Sequence, residues 1–166
     1  MLKRLVLIVA ILVSCVGCDQ ATKSVAKSYL SETQAVLLVG GSVRLQIAKN
    51  YGAFLSLGSS LSQSTRTALL SAGVAAVLLG IFVYCLVVAP SNSFVVPSLA
   101  MIVGGGVSNL IDRLYYGGYV LDFLNVGIGP VRTGIFNVAD MFIMAGVLLL
   151  AFGPVVLARR QASVGS

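Results

Sequence analysis

Residues 109–140 contain the stretch that decides the fold: it opens with Asn109-Leu-Ile-Asp112-Arg113, passes through Leu121-Asp122-Phe123 and closes with Phe136-Asn137-Val-Ala-Asp140. Three of the five acidic residues of the chain lie in this window, although 58% of all residues are hydrophobic. Charged side chains beside apolar helices of membrane length are costly and are usually functional. The stretch therefore marks the candidate site and the junction between the last two predicted helices.

Composition predicts an integral membrane protein with one domain. The 166 residues are only 10% charged, and their mean hydropathy is +1.01, whereas soluble domains carry roughly a quarter charged residues. The absence of histidine excludes Ser-His and Cys-His catalysis and most zinc sites. Three cysteines are too few for a disulfide framework. The net charge of +6 favours anionic lipid, and the scattered basic residues do not indicate nucleic-acid binding.

The predicted fold class is mainly α: a polytopic bundle of four transmembrane helices with a small extramembrane β-sheet. Apolar runs place the helices at about 4–28, 67–89, 94–114 and 137–158. Segment 30–66 has strand-like composition at 35–39, 42–48 and 53–57, with polar and apolar residues alternating from Ser42 to Ile47. Residues 90–93 predict a turn, residues 115–135 a Gly- and Tyr-rich active-site loop. Gly104-Gly105-Gly106 predicts close helix packing.

The N-terminus allows a second interpretation. A basic start followed by a short apolar run is typical of a secretory signal peptide, and Leu12-Val13-Ser14-Cys15 resembles the cleavage site of a bacterial lipoprotein. However, the helical pattern continues past Cys15 to about Tyr29, and the rest of the chain predicts further spans. We therefore expect an uncleaved first transmembrane helix.

Four spans place both termini on one side of the membrane. Lysine and arginine flank both the termini and segment 30–66, so their count alone leaves the orientation open. We expect cytoplasmic termini, because charges on short tails have the stronger effect. At 1.5 Å per residue, Asp19 lies roughly 22 Å beyond Arg4, and Asp112 roughly 27 Å beyond Phe94. With Asp140 at the start of the fourth helix and Asp122 in the preceding loop, four of the five acids are expected at one outer level.

Each charged residue of the first and third helices has a structural alternative. Asp19 and Lys23 are four residues apart and can form a purely structural ion pair. Asp112 and Arg113 can anchor a helix end at the interface; alternatively, Arg113 orients substrate or loop backbone.

Structural alternatives also exist for the later residues. Asn137 and Asp140 can cap the fourth helix and stabilise its dipole, a role that suits Asn137 better because Asp140 lies a turn inside. Asp122 can be a simple turn residue. The chemical alternative is a carboxylate pair: two adjacent aspartates share one proton, so one takes a proton from water while the other protonates a carbonyl. Such chemistry needs neither metal nor cofactor.

Five motifs in order resemble those of bacterial lipoprotein signal peptidase, or signal peptidase II, over about residues 4–158. The motifs are Asp19-Gln-Ala-Thr22-Lys23, Asn50-Tyr-Gly52-Ala53-Phe54, Ser108-Asn109-Leu-Ile-Asp112-Arg113, Val120-Leu-Asp122-Phe123 and Phe136-Asn137-Val-Ala139-Asp140. Two departures are Ser108, where the family pattern has glycine, and a spacer lengthened at Gly117-Gly118.

This resemblance implies an aspartic endopeptidase of the bacterial inner membrane, which is the target of globomycin. Its substrates would be prolipoproteins, cleaved before a diacylglyceryl-modified cysteine near the outer leaflet. It implies that Asp122 and Asp140 are catalytic. Pocket or supporting roles would fall to Asn50, Gly52, Asn109, Arg113, Asn137, Asp19, Lys23 and Asp112. No cofactor is implied, the partners are substrate and membrane lipid, and we expect a monomer.

A small transporter or proton channel is the rival hypothesis, because it too can place acidic residues in a helix bundle. Transporters hold such residues near the midplane of the membrane. In this chain the acidic residues are instead predicted to lie at the outer edge of the membrane, which is not where a transporter would place them.

Overall fold

A computed structural model describes residues 1–52, 62, 65, 68–89 and 94–164. This part of the chain forms a helical bundle with a small antiparallel sheet. The helices are α1 (Leu2–Tyr29), α2 (Val74–Val87, preceded by a wider helical turn at Ala68–Gly73), α3 (Val95–Tyr115) and α4 (Val138–Val164). The strands are β1 (Val36–Leu38), β2 (Val43–Asn50), β3 (Val120–Ile128) and β4 (Val131–Arg132), in that order across the sheet.

Three of the described helices are long and apolar enough to cross a membrane: Leu2–Tyr29, Leu70–Val87 and Val95–Tyr115. The apolar part of α4, Val138–Pro154, is shorter. Most of the apolar side chains on α1 and α2 point outward, as expected where lipid rather than water is the solvent, whereas α3 is largely buried. The predicted mainly helical membrane protein with a small sheet is confirmed, and α3 is its central helix.

Three consecutive glycines let α3 contact the other helices at close range. A Cβ at Gly104 would lie 2.8 Å from Cys15 Cβ on α1, and one at Gly106 would lie 2.6 Å from Leu78 Cδ2 on α2. A Cβ at Gly105 would collide with the backbone carbonyl oxygen of Ala139 on α4. The predicted close packing is therefore confirmed, and it involves three neighbouring helices.

The segment predicted as an active-site loop contains two strands, so the prediction of irregular structure is wrong for 120–128 and 131–132. β3 pairs antiparallel with β2, and the register shifts between Leu45 and Ala48. That partner lies about seventy positions earlier in the chain, beyond the reach of local sequence patterns. Strands are confirmed within 35–39 and 42–48. The predicted strand at 53–57 and turn at 90–93 lie outside the described residues.

Gly117 and Gly118 end α3. Both have positive φ, 70° and 116°, a region that glycine tolerates at no steric cost. The Gly118 N–H donates to the Arg113 carbonyl at 2.8 Å, the bond expected of a Schellman helix end. The lengthened spacer thus has a structural role, since it stops the helix and turns the chain into β3.

Candidate active site

The start of α4 carries a reciprocal capping arrangement between Asn137 and Asp140. Asn137 precedes the first helical residue, and its Oδ1 accepts the Asp140 backbone N–H at 2.9 Å. In return, Asp140 Oδ2 accepts the Asn137 backbone N–H at 3.2 Å. This is a capping box, which satisfies two otherwise unpaired N–H groups. Capping was expected to suit Asn137 better than Asp140; the structure shows that Asp140 shares the role, which fixes the direction of its carboxylate.

Asp122 lies on β3, where backbone pairing carries it next to the start of α4. Leu124 and Phe136 form an isolated antiparallel bridge, which places Asn137 beside the strand. Asn137 Nδ2 then donates to Asp122 Oδ1 at 2.7 Å. From the other side, Asn50 Nδ2 donates to Asp122 Oδ2 at 3.0 Å. Asp122 is 1% exposed.

One residue, Asn137, therefore donates to the carboxylates of both candidate catalytic residues. Asn137 binds the carboxylate of Asp122 through its side chain and that of Asp140 through its backbone N–H. The second oxygen of Asp140 accepts Asn109 Nδ2 at 2.9 Å. Each carboxylate oxygen thus receives one N–H donor, and the sequence-predicted residues Asn50, Asn109 and Asn137 supply all four.

Burial raises the pKa of Asp122 to about 7, and the nearby charge of Asp140 adds to the rise. The hydrogen bonds from Asn50 and Asn137 act in the opposite direction, because they stabilise the charged form. A carboxyl group with this pKa is partly protonated near neutral pH. It can therefore donate a proton under conditions in which an ordinary aspartate cannot.

Arg113 connects α3 to the end of β2. Its Nη2 donates to the Gly52 carbonyl at 2.9 Å, and the Gly52 N–H donates to Asn50 Oδ1 at 3.0 Å. Asn50 in turn binds Asp122. This arrangement favours the hypothesis that Arg113 orients loop backbone, and it shows that Gly52 acts through its peptide groups.

Two cavities adjoin Asp140. One, of about 330 Å³, lies between α2, α3 and α4 and is lined by apolar side chains together with Asn109, Arg113 and Asp140. Arg113 is 8% exposed, and its buried Nε has no hydrogen-bond partner among the residues that the structure describes. The other cavity, of about 420 Å³, is lined by Thr133, Gly134, Phe136 and a largely apolar face of α4 that includes Asp140. The Asp140 side chain therefore adjoins two cavities whose linings suit apolar chains.

A second cluster lies behind the first. The predicted Asp19–Lys23 pair is confirmed, with Lys23 Nζ 2.6 Å from Asp19 Oδ2, and Nζ also lies 2.8 Å from Asp112 Oδ2. All three side chains are almost fully buried. In the described part of the chain, no group of three or more Asp, Glu, Cys or His side chains is arranged to hold a metal ion.

Ser108 and Gln20 complete this cluster, and sequence reasoning had assigned neither a role. Ser108 Oγ donates to Asp19 Oδ2 at 2.7 Å, while Gln20 Nε2 donates to Asp112 Oδ1 at 2.9 Å and to Ser108 Oγ at 3.0 Å. The available signal was weak: each is a polar residue inside an apolar helix and next to a motif residue. The departure from the family pattern at Ser108 thus adds a hydrogen bond to the cluster.

The sequence matches the model of one protein family, described as signal peptidase (SPase) II, over residues 11–155. A lipoprotein signal peptidase of Caldanaerobacter subterraneus is 34% identical over 134 residues, covering 81% of this chain and 86% of the relative. One of Moorella thermoacetica is 33% identical over 147 residues, covering 88% and 89%. One of Leifsonia xyli is 35% identical over 169 residues, covering 96% and 74%.

Solved structures share the fold. A bacterial membrane enzyme determined by the in meso method at 2.3 Å resolution superposes with a TM-score of 0.77 and 23% identity, covering 89% of this chain and 87% of that one. A second such enzyme, at 1.9 Å resolution, gives a TM-score of 0.73. The bundle and its surface sheet are therefore an architecture already seen in bacterial membrane enzymes.

Proposed function

The chain belongs to the signal peptidase II family, and we propose that Asp122 and Asp140 form its catalytic pair. Relatives covering most of the chain are lipoprotein signal peptidases. The protein is accordingly a multi-pass bacterial membrane protease that removes signal peptides from prolipoproteins, and the transporter hypothesis is not favoured. The finer proposal is an aspartic endopeptidase that cleaves on the N-terminal side of a diacylglyceryl-modified cysteine.

The contact of Asn137 with both aspartates is the observation that carries the proposal. It couples a carboxylate on β3 to one in the first turn of α4, about eighteen positions later, through the side-chain amide and the backbone N–H of a single buried residue. A purely structural pair of carboxylates in an apolar protein would be expected to hold a cation between them. Here the donors to both are neutral amide groups, which leaves room for one shared proton.

The donors also suggest which aspartate plays which part. Asp140 lies in the first turn of α4, where the helix dipole and a backbone N–H favour a negative charge. Asp122 is buried on a strand, with a pKa raised to about 7. In the proposed mechanism, charged Asp140 takes a proton from the attacking water, and neutral Asp122 protonates the oxygen of the scissile carbonyl.

The surroundings fit a lipid-modified substrate. The two cavities beside Asp140 are largely apolar, and Arg113 adds a buried donor to one of them. We propose that acyl chains enter from the membrane while the peptide is held by the sheet. The further parts of the proposal are one peptidase domain over 1–166, a monomer in the inner membrane, cytoplasmic termini and an active site near the outer leaflet.

Two single substitutions test the catalytic pair. Asp122→Asn and Asp140→Asn keep the shape of the side chain and remove its acid–base function. Each purified variant is expected to lose cleavage of a diacylglyceryl-modified prolipoprotein by about 10⁴-fold or more, in keeping with a two-residue catalytic unit. Circular dichroism and thermal unfolding report whether the fold is intact.

Glu32→Gln supplies the matched control, because it makes the same chemical change at the one exposed acid. Glu32 pairs with Lys49 at 2.8 Å on the surface, and exposed pairs of this kind contribute little stability. Cleavage by this variant is expected to equal that of the unmodified protein. If folded Asp122→Asn or Asp140→Asn protein retains cleavage, the assignment of the pair is wrong.

A further inference from the structure

Among the buried lysine and arginine side chains that the structure describes, Lys23 is the one for which the mechanism above has no use. Its side chain is 2% exposed, near the C-terminal end of α1, a helix long and apolar enough to cross the membrane. An ammonium group has three N–H donors and no acceptor. All three have partners: Asp19 Oδ2 at 2.6 Å, Asp112 Oδ2 at 2.8 Å and Asn109 Oδ1 at 3.3 Å.

The two carboxylates bound by Lys23 accept hydrogen bonds from equivalent backbone positions in the two segments that carry the catalytic aspartates. Asp19 Oδ1 accepts the backbone N–H of Ala139, the residue immediately before Asp140, at 2.8 Å. Asp112 Oδ2 accepts the backbone N–H of Leu121, the residue immediately before Asp122, at 3.0 Å. Each catalytic residue is thus fixed through its preceding peptide group.

The third partner of Lys23 reaches a catalytic carboxylate through a side chain. Asn109 Oδ1 accepts from Lys23 and from Asn137 Nδ2, the latter at 3.1 Å. With its oxygen held by two donors, the amide must present Nδ2 to Asp140, which it binds at 2.9 Å. The ammonium therefore determines which way this amide faces.

We propose that Lys23 is a positioning residue that fixes the separation of the two catalytic aspartates. The single ammonium binds the carboxylates of Asp19 and Asp112. These carboxylates anchor α4 and β3 at the residues just before Asp140 and Asp122. The proposal rests on the proposed function, since it takes that pair as catalytic. Within the part of the chain that the structure describes, Lys23 forms no hydrogen bond or ion pair with either catalytic carboxylate. Its charge lowers the pKa of Asp122 from a distance, whereas its direct bonds act on geometry.

The competing explanation is that Lys23 only neutralises two buried acids and so permits folding. Removing one partner from a buried ion cluster leaves charge unpaired and is strongly destabilising. A loss of activity in Lys23→Met alone would therefore not separate the two explanations. The triple variant D19N/K23M/D112N does so, because it removes all three charges while each asparagine keeps an oxygen for the Ala139 or Leu121 N–H.

The test is the separate measurement of kcat and KM for a diacylglyceryl-modified prolipoprotein, with the full chain in nanodiscs. In folded Lys23→Met and in the triple variant, kcat is expected to fall about 100-fold, the effect of misplacing reacting groups by about 1 Å. KM is expected to stay within about threefold, because Lys23 lies behind the site. Lys27→Met is the matched control: one turn further along α1 and exposed, it should leave both constants unchanged.

Three results would overturn the proposal: a folded variant with kcat within about threefold of the unmodified protein, a raised KM with kcat retained, or a triple variant that does not fold. The last would assign Lys23 to folding rather than to aspartate placement. Asp122→Asn and Asp140→Asn in the same assay keep the two proposals apart. Cleavage by either means that the catalytic pair is wrong, whereas inactive aspartate variants beside a fully active Lys23→Met mean that only the positioning role is wrong.

Discussion

Replacing Asn137 with serine removes the side-chain N–H donor to Asp122 but keeps the backbone N–H that binds the Asp140 carboxylate and an oxygen able to cap α4. The variant loses the Nδ2 bond to Asp122 at 2.7 Å and the weaker bond to Asn109 at 3.1 Å. Serine is as good a helix cap as asparagine. The substitution therefore separates the contribution of Asn137 to the catalytic pair from its contribution to the helix.

The size of the effect follows from the lost bond. A hydrogen bond to a charged group is worth about 1.5–3 kcal/mol, and 1.36 kcal/mol corresponds to one unit of pKa. The Asn137 bond stabilises the charged form of Asp122, so its loss raises the pKa of that group from about 7 by about one to two units. Asn137→Ala also loses the helix cap, which should lower the free energy of unfolding by about a further 1 kcal/mol. This variant should therefore unfold at a lower temperature than Asn137→Ser.

The assay is the pH dependence of kcat/KM for prolipoprotein cleavage between pH 5 and about pH 10, where the pKa of Asp122 would appear. If Asp122 must be protonated to act as the acid, activity of the unmodified protein falls as pH rises through about 7. In Asn137→Ser this decline should begin about one to two units higher, with a reduced maximum. A decline at an unchanged pH, or one moved to lower pH, would refute the proposed role of Asn137.

Three other predictions concern packing, the second cluster and pH. Gly105→Ala should lower the free energy of unfolding by about 1–3 kcal/mol in thermal or denaturant unfolding, because the new Cβ meets the Ala139 carbonyl; an unchanged value would contradict the packing of α3. Asp112→Asn should reduce cleavage far less than Asp122→Asn, or fail through instability, since the Asp112 carboxylate contacts Lys23, Gln20 and the Leu121 backbone N–H but neither catalytic carboxylate; equal loss in stable protein would contradict this. The raised folded-state pKa of Asp122 means that the unmodified protein loses stability as pH rises from about 4 through about 7, because the unfolded chain releases this proton more readily. Asp122→Asn lacks this loss and should become more stable relative to the unmodified protein over the same range; thermal unfolding at pH 4 and 8 checks the sign.

Helix positions were predictable because membrane spans follow from apolar length alone. The same lengths predicted the convergence of the acids: Asp19, Asp112 and Asp140 lie at matching depths once the helices alternate in direction. The structure brings these residues into one hydrogen-bonded region with Asp122. The depth of a residue along a helix depends only on its position in the sequence and the fixed rise per residue, so it can be predicted from sequence.

Strand β3 was not predictable in the same way. Its partner β2 lies about seventy positions earlier, and the Gly117-Gly118 turn before it has the composition of a loop. Asp122 was consequently expected in a loop, whereas pairing holds it on a strand next to Asn50. Lateral pairing of this kind depends on the tertiary fold.

The buried cluster shows the same limit. An Asp19–Lys23 pair follows from four-residue helical spacing, and it is observed. The second carboxylate on Lys23, and the Ser108 hydroxyl on Asp19, come from another helix. These contacts between α1 and α3 require close packing of the two helices, which Gly104 allows at the level of Cys15.

Titration of the Asp122 carboxyl carbon tests the central claim most directly. The chain has only four aspartates, so ¹³C-labelled aspartate in the purified protein gives four carboxyl signals, which the single Asp→Asn variants assign. We expect the Asp122 signal to titrate with a midpoint near pH 7, and Asp140→Asn to lower this midpoint by removing the neighbouring charge. A midpoint near the ordinary value of about 4, unaffected by Asp140→Asn, would contradict a proton-sharing pair.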